Sequence, residues 1–115
     1  MVLVLVSAAA WAQSTAGKGQ WLHDCWVSAQ KANDGTASER DWPLAYIYAG
    51  FVAGAAGVMN AADWLNLTNI TWAQQQAVVG KYLDDHPEQW NLPAETLVYR
   101  ALHAVWPGTK AAPYQ

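Results

Sequence analysis

The chain is short of cysteine, of charge and of basic residues, and each shortage removes a class of protein. One cysteine, Cys25, stands in 115 residues. A disulfide scaffold needs at least one pair, so that framework is closed to this chain. Lys and Arg number six against nine Asp and Glu, and the net charge is −3. The six cations are scattered, so no basic stripe exists to neutralise phosphates, which argues against nucleic acid as a partner. No alternating apolar–polar run reads as a strand. A membrane span is also poorly provided for. The apolar stretch from Leu44 to Met59, which holds no charged residue, is shorter than the ~20 residues a span needs. It is rich in Ala and Gly rather than Leu, and no basic flank anchors it.

Tryptophan is plentiful instead, with eight in the chain. That exceeds what one small core needs, so some should lie at the surface, where Trp favours interfaces. The length allows one domain. Met1 to Ala12 reads as a secretory signal peptide: a Val-Leu-Val-Leu-Val run, small residues after it, and an Ala10-Trp11-Ala12 cleavage pattern before Gln13. The mature domain is then residues 13–115.

Four helices follow from local signals. Trp21, Leu22, Cys25, Trp26 and Ala29 share one face of a helix over Gln20 to Ala32, and Gly35 suits its C-terminal cap. Asp41 can cap the second helix, with Pro43 in its first turn. Gly50, Gly54 and Gly57 lie along one side of it. Each costs a helix up to about 1 kcal/mol, so they predict close packing by a neighbouring helix. Thr71 and Gln74 form a capping box for the third helix, whose face is Trp72, Gln75, Val78, Val79, Tyr82 and Leu83. Pro87 disfavours helix at His86 and ends it. Asn91 can cap the fourth helix, with a stripe of Leu97, Val98, Ala101, Leu102, Val105 and Trp106. The class is all-α, a compact bundle of about four helices with short, mostly antiparallel connections. The predicted core is Leu22, Trp26, Phe51, Val78, Val79, Tyr82, Leu83, Leu97, Val98, Ala101 and Leu102, with Trp21, Trp72 and Trp106 in register with it.

The stretch Val78-Val79-Gly80-Lys81-Tyr82-Leu83-Asp84-Asp85-His86-Pro87-Glu88, with Leu97-Val98 and Ala101-Leu102 beyond it, resembles the Rap/Tai family of periplasmic immunity proteins. Gly50-Phe51-Val52-Ala53-Gly54 is similar to that family's G-Y-I-x-G segment, and Trp21-Leu22-His23-Asp24-Cys25 resembles its L-L-x-x-C opening. The resemblance spans Gly17 to about Pro107. It implies a periplasmic protein that blocks a cell-wall amidase delivered by type VI secretion, with homodimers often building the inhibitory surface. It also implies further cysteines, whose matching places here hold Tyr48, the Trp64–Leu67 region and Gly108. The family's disulfide framework is therefore absent. Such a loss typically costs a small secreted domain ~2–5 kcal/mol, and the added aromatics can offset part of it by burial. Two N-x-T sequons, at Asn66 and Asn69, read as turn and cap residues in a bacterial host.

Weighed for chemistry, the chain offers little. Asp84, Asp85, His86 and Glu88 contain metal-ligand types, but no second cluster completes a site. Cys25 lies on an apolar helix face with no Gly-rich or strained loop near it, which favours a core thiol over a nucleophile; a free or interchain-bridged thiol stays open. No catalytic residue, metal or cofactor is therefore expected. The candidate contact residues are aromatics beside polar loops: Trp64, Asn66, His86, Glu88, Gln89 and Trp90, with Trp42 at a third helix edge. The rival to an amidase-binding immunity protein is a small helical periplasmic chaperone or envelope scaffold that uses the same aromatics on many partners.

Overall fold

Residues 17–114 are described by a computed structural model. The expected signal peptide lies outside these described residues. Four α-helices are present among them: α1 (Gly19–Asp34), α2 (Asp41–Ala61), α3 (Trp72–Asp85) and α4 (Ala94–Val105), with a short 3-10 turn at Pro87–Gln89 between the last two. The all-α expectation holds, and no named strand is present among the described residues.

Local chemistry sets most of the helix ends. Gly35 takes φ 77°, a left-handed conformation that closes α1, and the Thr36 N–H then donates to the Lys31 carbonyl at 2.9 Å. The Thr71 hydroxyl accepts from the Gln74 N–H at 3.1 Å, and the Gln74 side chain accepts from the Thr71 N–H at 2.8 Å. That reciprocal pair satisfies two donors at the start of α3. Asn91 does not cap α4, which begins at Ala94. The Ala94 N–H donates instead to the Gly17 carbonyl at 2.7 Å, so the chain before α1 caps α4.

Both ends of α4 are tied by backbone hydrogen bonds. At its start, Gly19 and Gln20 donate to the carbonyls of Leu92 and Trp90. Beyond its end, Asn66 donates to Trp106, Gly108 to Trp64 and Lys110 to Asp63. Between these clasps lies the core of Leu22, Cys25, Tyr48, Val52, Met59 and Leu65, with Val79, Leu83, Leu97, Val98 and Leu102.

Side-chain placement departs from the sequence reading in several ways. Trp72 is 71% exposed. It opens α3, whose whole first turn is exposed, and packing begins only at Gln75. Val105 lies in the exposed last turn of α4. Trp21, Trp26, Phe51, Val78, Tyr82 and Trp106 are half-buried and pack around the core rather than within it.

The glycines of α2 are the largest difference. A Cβ on Gly50, Gly54 or Gly57 would meet no described atom within 4 Å, so none of the described helices packs there. Close packing occurs instead at Gly80, where a Cβ would overlap the Trp26 indole. It occurs again at Gly108, where a Cβ would overlap the backbone of Asp63 to Leu65. The place matched to a family cysteine at Gly108 thus has no room for a side chain. The place at Tyr48 is filled by a fully buried ring, whose hydroxyl donates to the Gln76 carbonyl at 2.6 Å.

α2 is also longer than the apolar stretch from Leu44 to Met59 suggested, at 21 residues, and by length and composition alone it could cross a membrane. Its inner face, however, carries Tyr48, Val52, Ala56 and Met59 into the core.

Candidate functional site

The turn from His86 to Asn91 is built by the end of α3. Pro87 has no N–H to donate and fixes its own φ, so the helix stops and tightens into the 3-10 turn. The backbone of the turn is then held from three sides. Trp90 points inward, and its Nε1–H donates to the Leu83 carbonyl at 2.8 Å. Its ring stacks on His23 of α1, with centroids 4.1 Å apart. Gln89 Oε1 accepts from the Tyr82 hydroxyl and from Arg100, each at 3.0 Å.

A polar network reinforces this junction. Asp84 accepts from Trp26 Nε1–H at 3.1 Å, and its other oxygen lies 3.0 Å from His23 Nε2. α1 and the end of α3 are thereby joined through one carboxylate, directly under Trp90. His86 and Glu88 face outward. His86 Nδ1 lies 3.0 Å from Glu88 Oε2, and the imidazole packs 4.1 Å from the Tyr82 ring. The Glu88 carboxyl is held below its ordinary range, first by a hydrogen bond to its own backbone N–H and then by His86. At neutral pH it is an anion on a rigid turn. Beside the turn, a shallow groove of about 220 Å³ runs between α3 and α4, with Val78, Tyr82, Ala101, Ala104 and Val105 as its apolar lining. Lys81, Asp85 and His86 rim it.

The second candidate loop, expected over residues 60–71 and beginning at 62 past the end of α2, is equally ordered by its own side chains. Asn60 Oδ1 accepts from the Leu67 N–H at 2.9 Å, and Asn66 Oδ1 accepts from the Thr68 hydroxyl at 2.7 Å. Asp63 and Asn69 take φ 62° and 63°, a conformation that short polar side chains tolerate. Trp64 is half-buried, edge-on to Tyr114 at 5.8 Å.

The six candidate contact residues therefore fall into two groups. His86, Glu88, Gln89 and Trp90 sit before the start of α4, and Trp64 and Asn66 are tied just beyond its end. α4 has 12 residues, which at 1.5 Å each separates the groups by roughly 18 Å. Within the first group, His86 and Glu88 present themselves to solvent, while Gln89 and Trp90 brace the turn. The bracing residues His23, Trp26 and Arg100 were absent from the sequence reading of the site, and Asp84 entered it only within the acidic cluster of Asp84, Asp85, His86 and Glu88. His23 and Asp84 lie 61 positions apart, and nothing local announces their pairing.

The Cys25 thiol has no solvent exposure and is pushed up to about 11, chiefly by burial and secondly by Asp24. A thiol in that state is mostly unionised and a poor nucleophile. Among the described residues, no group of three or more His, Cys, Asp or Glu is placed to hold a metal.

The chain belongs to the family of Rap1a immunity proteins, whose family model matches residues 18–108. No curated protein and no solved structure matches it. Membership points to an immunity protein for a secreted toxin, which acts by holding that toxin as its partner. Proteins of this family are normally not enzymes.

Proposed function

We propose that this chain is a periplasmic immunity protein that binds and blocks a cell-wall amidase delivered by type VI secretion, and that the His86–Asn91 turn makes the contact. The observation that carries the reading is the match to the Rap1a immunity proteins over nearly the whole mature domain. The geometry supports a plugging mechanism. An amidase that cuts peptidoglycan works in an open groove, and a rigid turn seated in that groove excludes the substrate. Three braces hold the turn before binding, so little backbone entropy is lost on association. His86 and Glu88 supply the polar contacts at the tip. The neighbouring apolar groove between α3 and α4 gives the toxin a surface to bury. The signal-like segment before Gln13 and the Rap/Tai resemblance support a periplasmic site of action.

The test is calorimetric titration against any cell-wall amidase encoded beside this gene. Glu88→Arg should keep the fold, because its side chain is exposed and its carboxylate bonds within the turn, to its own backbone N–H, to His86 and to Gln89. It should weaken the complex at least tenfold, on the order of 1.4 kcal/mol or more. Trp90→Ala is a poorer probe, since Trp90 also anchors the turn to Leu83 and His23. Parent-like binding by Glu88→Arg and by a parallel Asn66→Arg variant would place the contact surface elsewhere.

The exposed apolar side chains of α2 favour one rival, a helical chaperone or scaffold with many clients. Stoichiometry separates the two: an immunity protein holds one toxin tightly, and a holdase binds many unfolded chains weakly.

A further inference from the structure

We infer that the groove between α1 and the start of α2 binds a short peptide with free termini, its ammonium at Asp24 and its carboxylate at Arg40 and Lys31. The inference goes beyond toxin binding and rests on the side chains of this groove. Its volume is about 520 Å³, within the range of about 300–1,000 Å³ that small-ligand sites occupy. The groove is held open by bonds of its own. Asp41 Oδ1 accepts from the Ser28 hydroxyl at 2.8 Å, and Oδ2 accepts from the Ser38 N–H at 2.9 Å and the Ser38 hydroxyl at 3.0 Å. These bonds pin α1 to the loop before α2 and occupy the Asp41 carboxylate. Fully buried Cys25 lies on the floor, and half-buried Trp21 and Leu44 give the groove apolar sides. His23, at its edge, is already engaged with Asp84 and Trp90.

Three exposed charges line the groove, and none is spent inside the domain. Asp24, Lys31 and Arg40 make no side-chain hydrogen bond or salt bridge among the described residues. They are sorted by sign along the groove. Asp24 stands beside Cys25, whose thiol it helps to push up. Lys31 stands near Asp41, whose pKa it helps to lower, and Arg40 directly precedes Asp41 in the chain. Lys31 follows Asp24 by two helical turns of α1, which is roughly 10 Å at 1.5 Å per residue. An extended chain advances about 3.3–3.6 Å per residue, so about three residues bridge the same span.

Opposite charges at that spacing select the ligand. A simple anion such as phosphate engages only the cationic end and leaves Asp24 and the apolar sides unused. An internal stretch of a protein carries neither charged end. A tripeptide with an apolar middle residue answers all three features. Its ammonium meets Asp24, its side chain lies against Trp21 and Leu44, and its carboxylate meets the Arg40 guanidinium, whose fork matches a carboxylate's two oxygens. Peptides with both ends free are also what amide hydrolysis produces, one ammonium and one carboxylate for each bond cut.

The test is NMR titration of the isotopically labelled mature chain with the peptide Ala-Leu-Ala. Its N-acetyl form, its C-terminal amide and the doubly blocked form are titrated alongside, with inorganic phosphate as the simple anion. Ala-Leu-Ala should bind saturably and shift the signals of Trp21, Ser28 and Leu44. Blocking either end should weaken it about threefold or more, the factor that an exposed ion pair carries. Arg40→Gln should weaken the free peptide by a similar factor and leave the amide almost unchanged, because the variant and the amide remove the same contact. Asp24→Asn should do the same for the acetyl form. Both side chains are exposed, so helicity should be that of the parent in each variant. No shift of the groove signals up to about 20 mM peptide, where even a Kd of several mM would show, would overturn the inference. So would equal binding of the doubly blocked peptide, phosphate binding as tight as the peptide, or parent-like binding of the free peptide by both variants.

Discussion

Single residues in this chain carry opposite consequences for the same substitution, and the surroundings decide the sign. Gly80 faces the Trp26 indole with no space for a methyl group. Gly80→Ala should destabilise by about 1–3 kcal/mol through overpacking. Gly50→Ala meets nothing and lies mid-helix. It should stabilise the monomer by about 0.5–1 kcal/mol through helix propensity. Urea unfolding of the two variants checks the pair, and equal shifts of the same sign would contradict the packing described. None of this was legible in the sequence. A glycine in a helix pattern says that a side chain is dispensable, and only the tertiary neighbours say whether it is forbidden.

Asp41 does not cap α2 as expected: Arg40 is the N-cap residue, without a side-chain cap bond, and Asp41 is the first residue of the helix. Its carboxylate accepts from the Ser28 hydroxyl at 2.8 Å and from the Ser38 N–H at 2.9 Å, and so ties α1 to the loop before α2. These bonds lower its pKa, the Ser38 backbone bond first and the Ser28 hydroxyl second. A lowered folded-state pKa adds stability that is complete above the unfolded value near 3.8 and is lost as pH falls through the folded one. Asp41→Asn should therefore be less stable than the parent at pH 7, and the gap should narrow under acid. Thermal melts at pH 7 and near pH 3 check this. A gap that widens on acidification would contradict it.

At the scale of elements, helix ends were legible and helix facing was not. The stops at Gly35 and Pro87 and the start at Thr71 rest on local backbone chemistry, which a few adjacent residues fully express. Thr71→Ala removes one half of the reciprocal cap and should cost about 0.5–2 kcal/mol, read as a lower midpoint in urea with helicity otherwise kept. The start of α4 was misplaced because its cap is the distant Gly17 carbonyl. α2 gave no facing signal, since its two sides are similarly apolar and the core side shows only in the fold. Trp72 was assigned inward by periodicity alone, which takes no account of where the neighbouring helices end.

At the scale of the molecule, one carboxylate and one indole link three elements. Asp84 joins His23 and Trp26 of α1 to the end of α3, and Trp90 lies on His23 while bonding back to Leu83. The candidate turn is thus presented by the core itself, which explains how a domain without disulfides keeps an ordered contact surface. Of the candidate site, the outward residues His86 and Glu88 were legible as polar groups around a helix-stopping proline. The support beneath them was not, because its members come from three distant stretches of chain. The central claim is that this domain holds one amidase toxin through that turn. Its most direct test is calorimetric titration of the mature chain against any cell-wall amidase encoded beside the gene, with peptidoglycan cleavage followed in the same samples. The account predicts saturable, tight binding at one immunity chain per amidase and loss of cleavage at equivalence. Absence of binding, or binding that leaves cleavage unchanged, would contradict it.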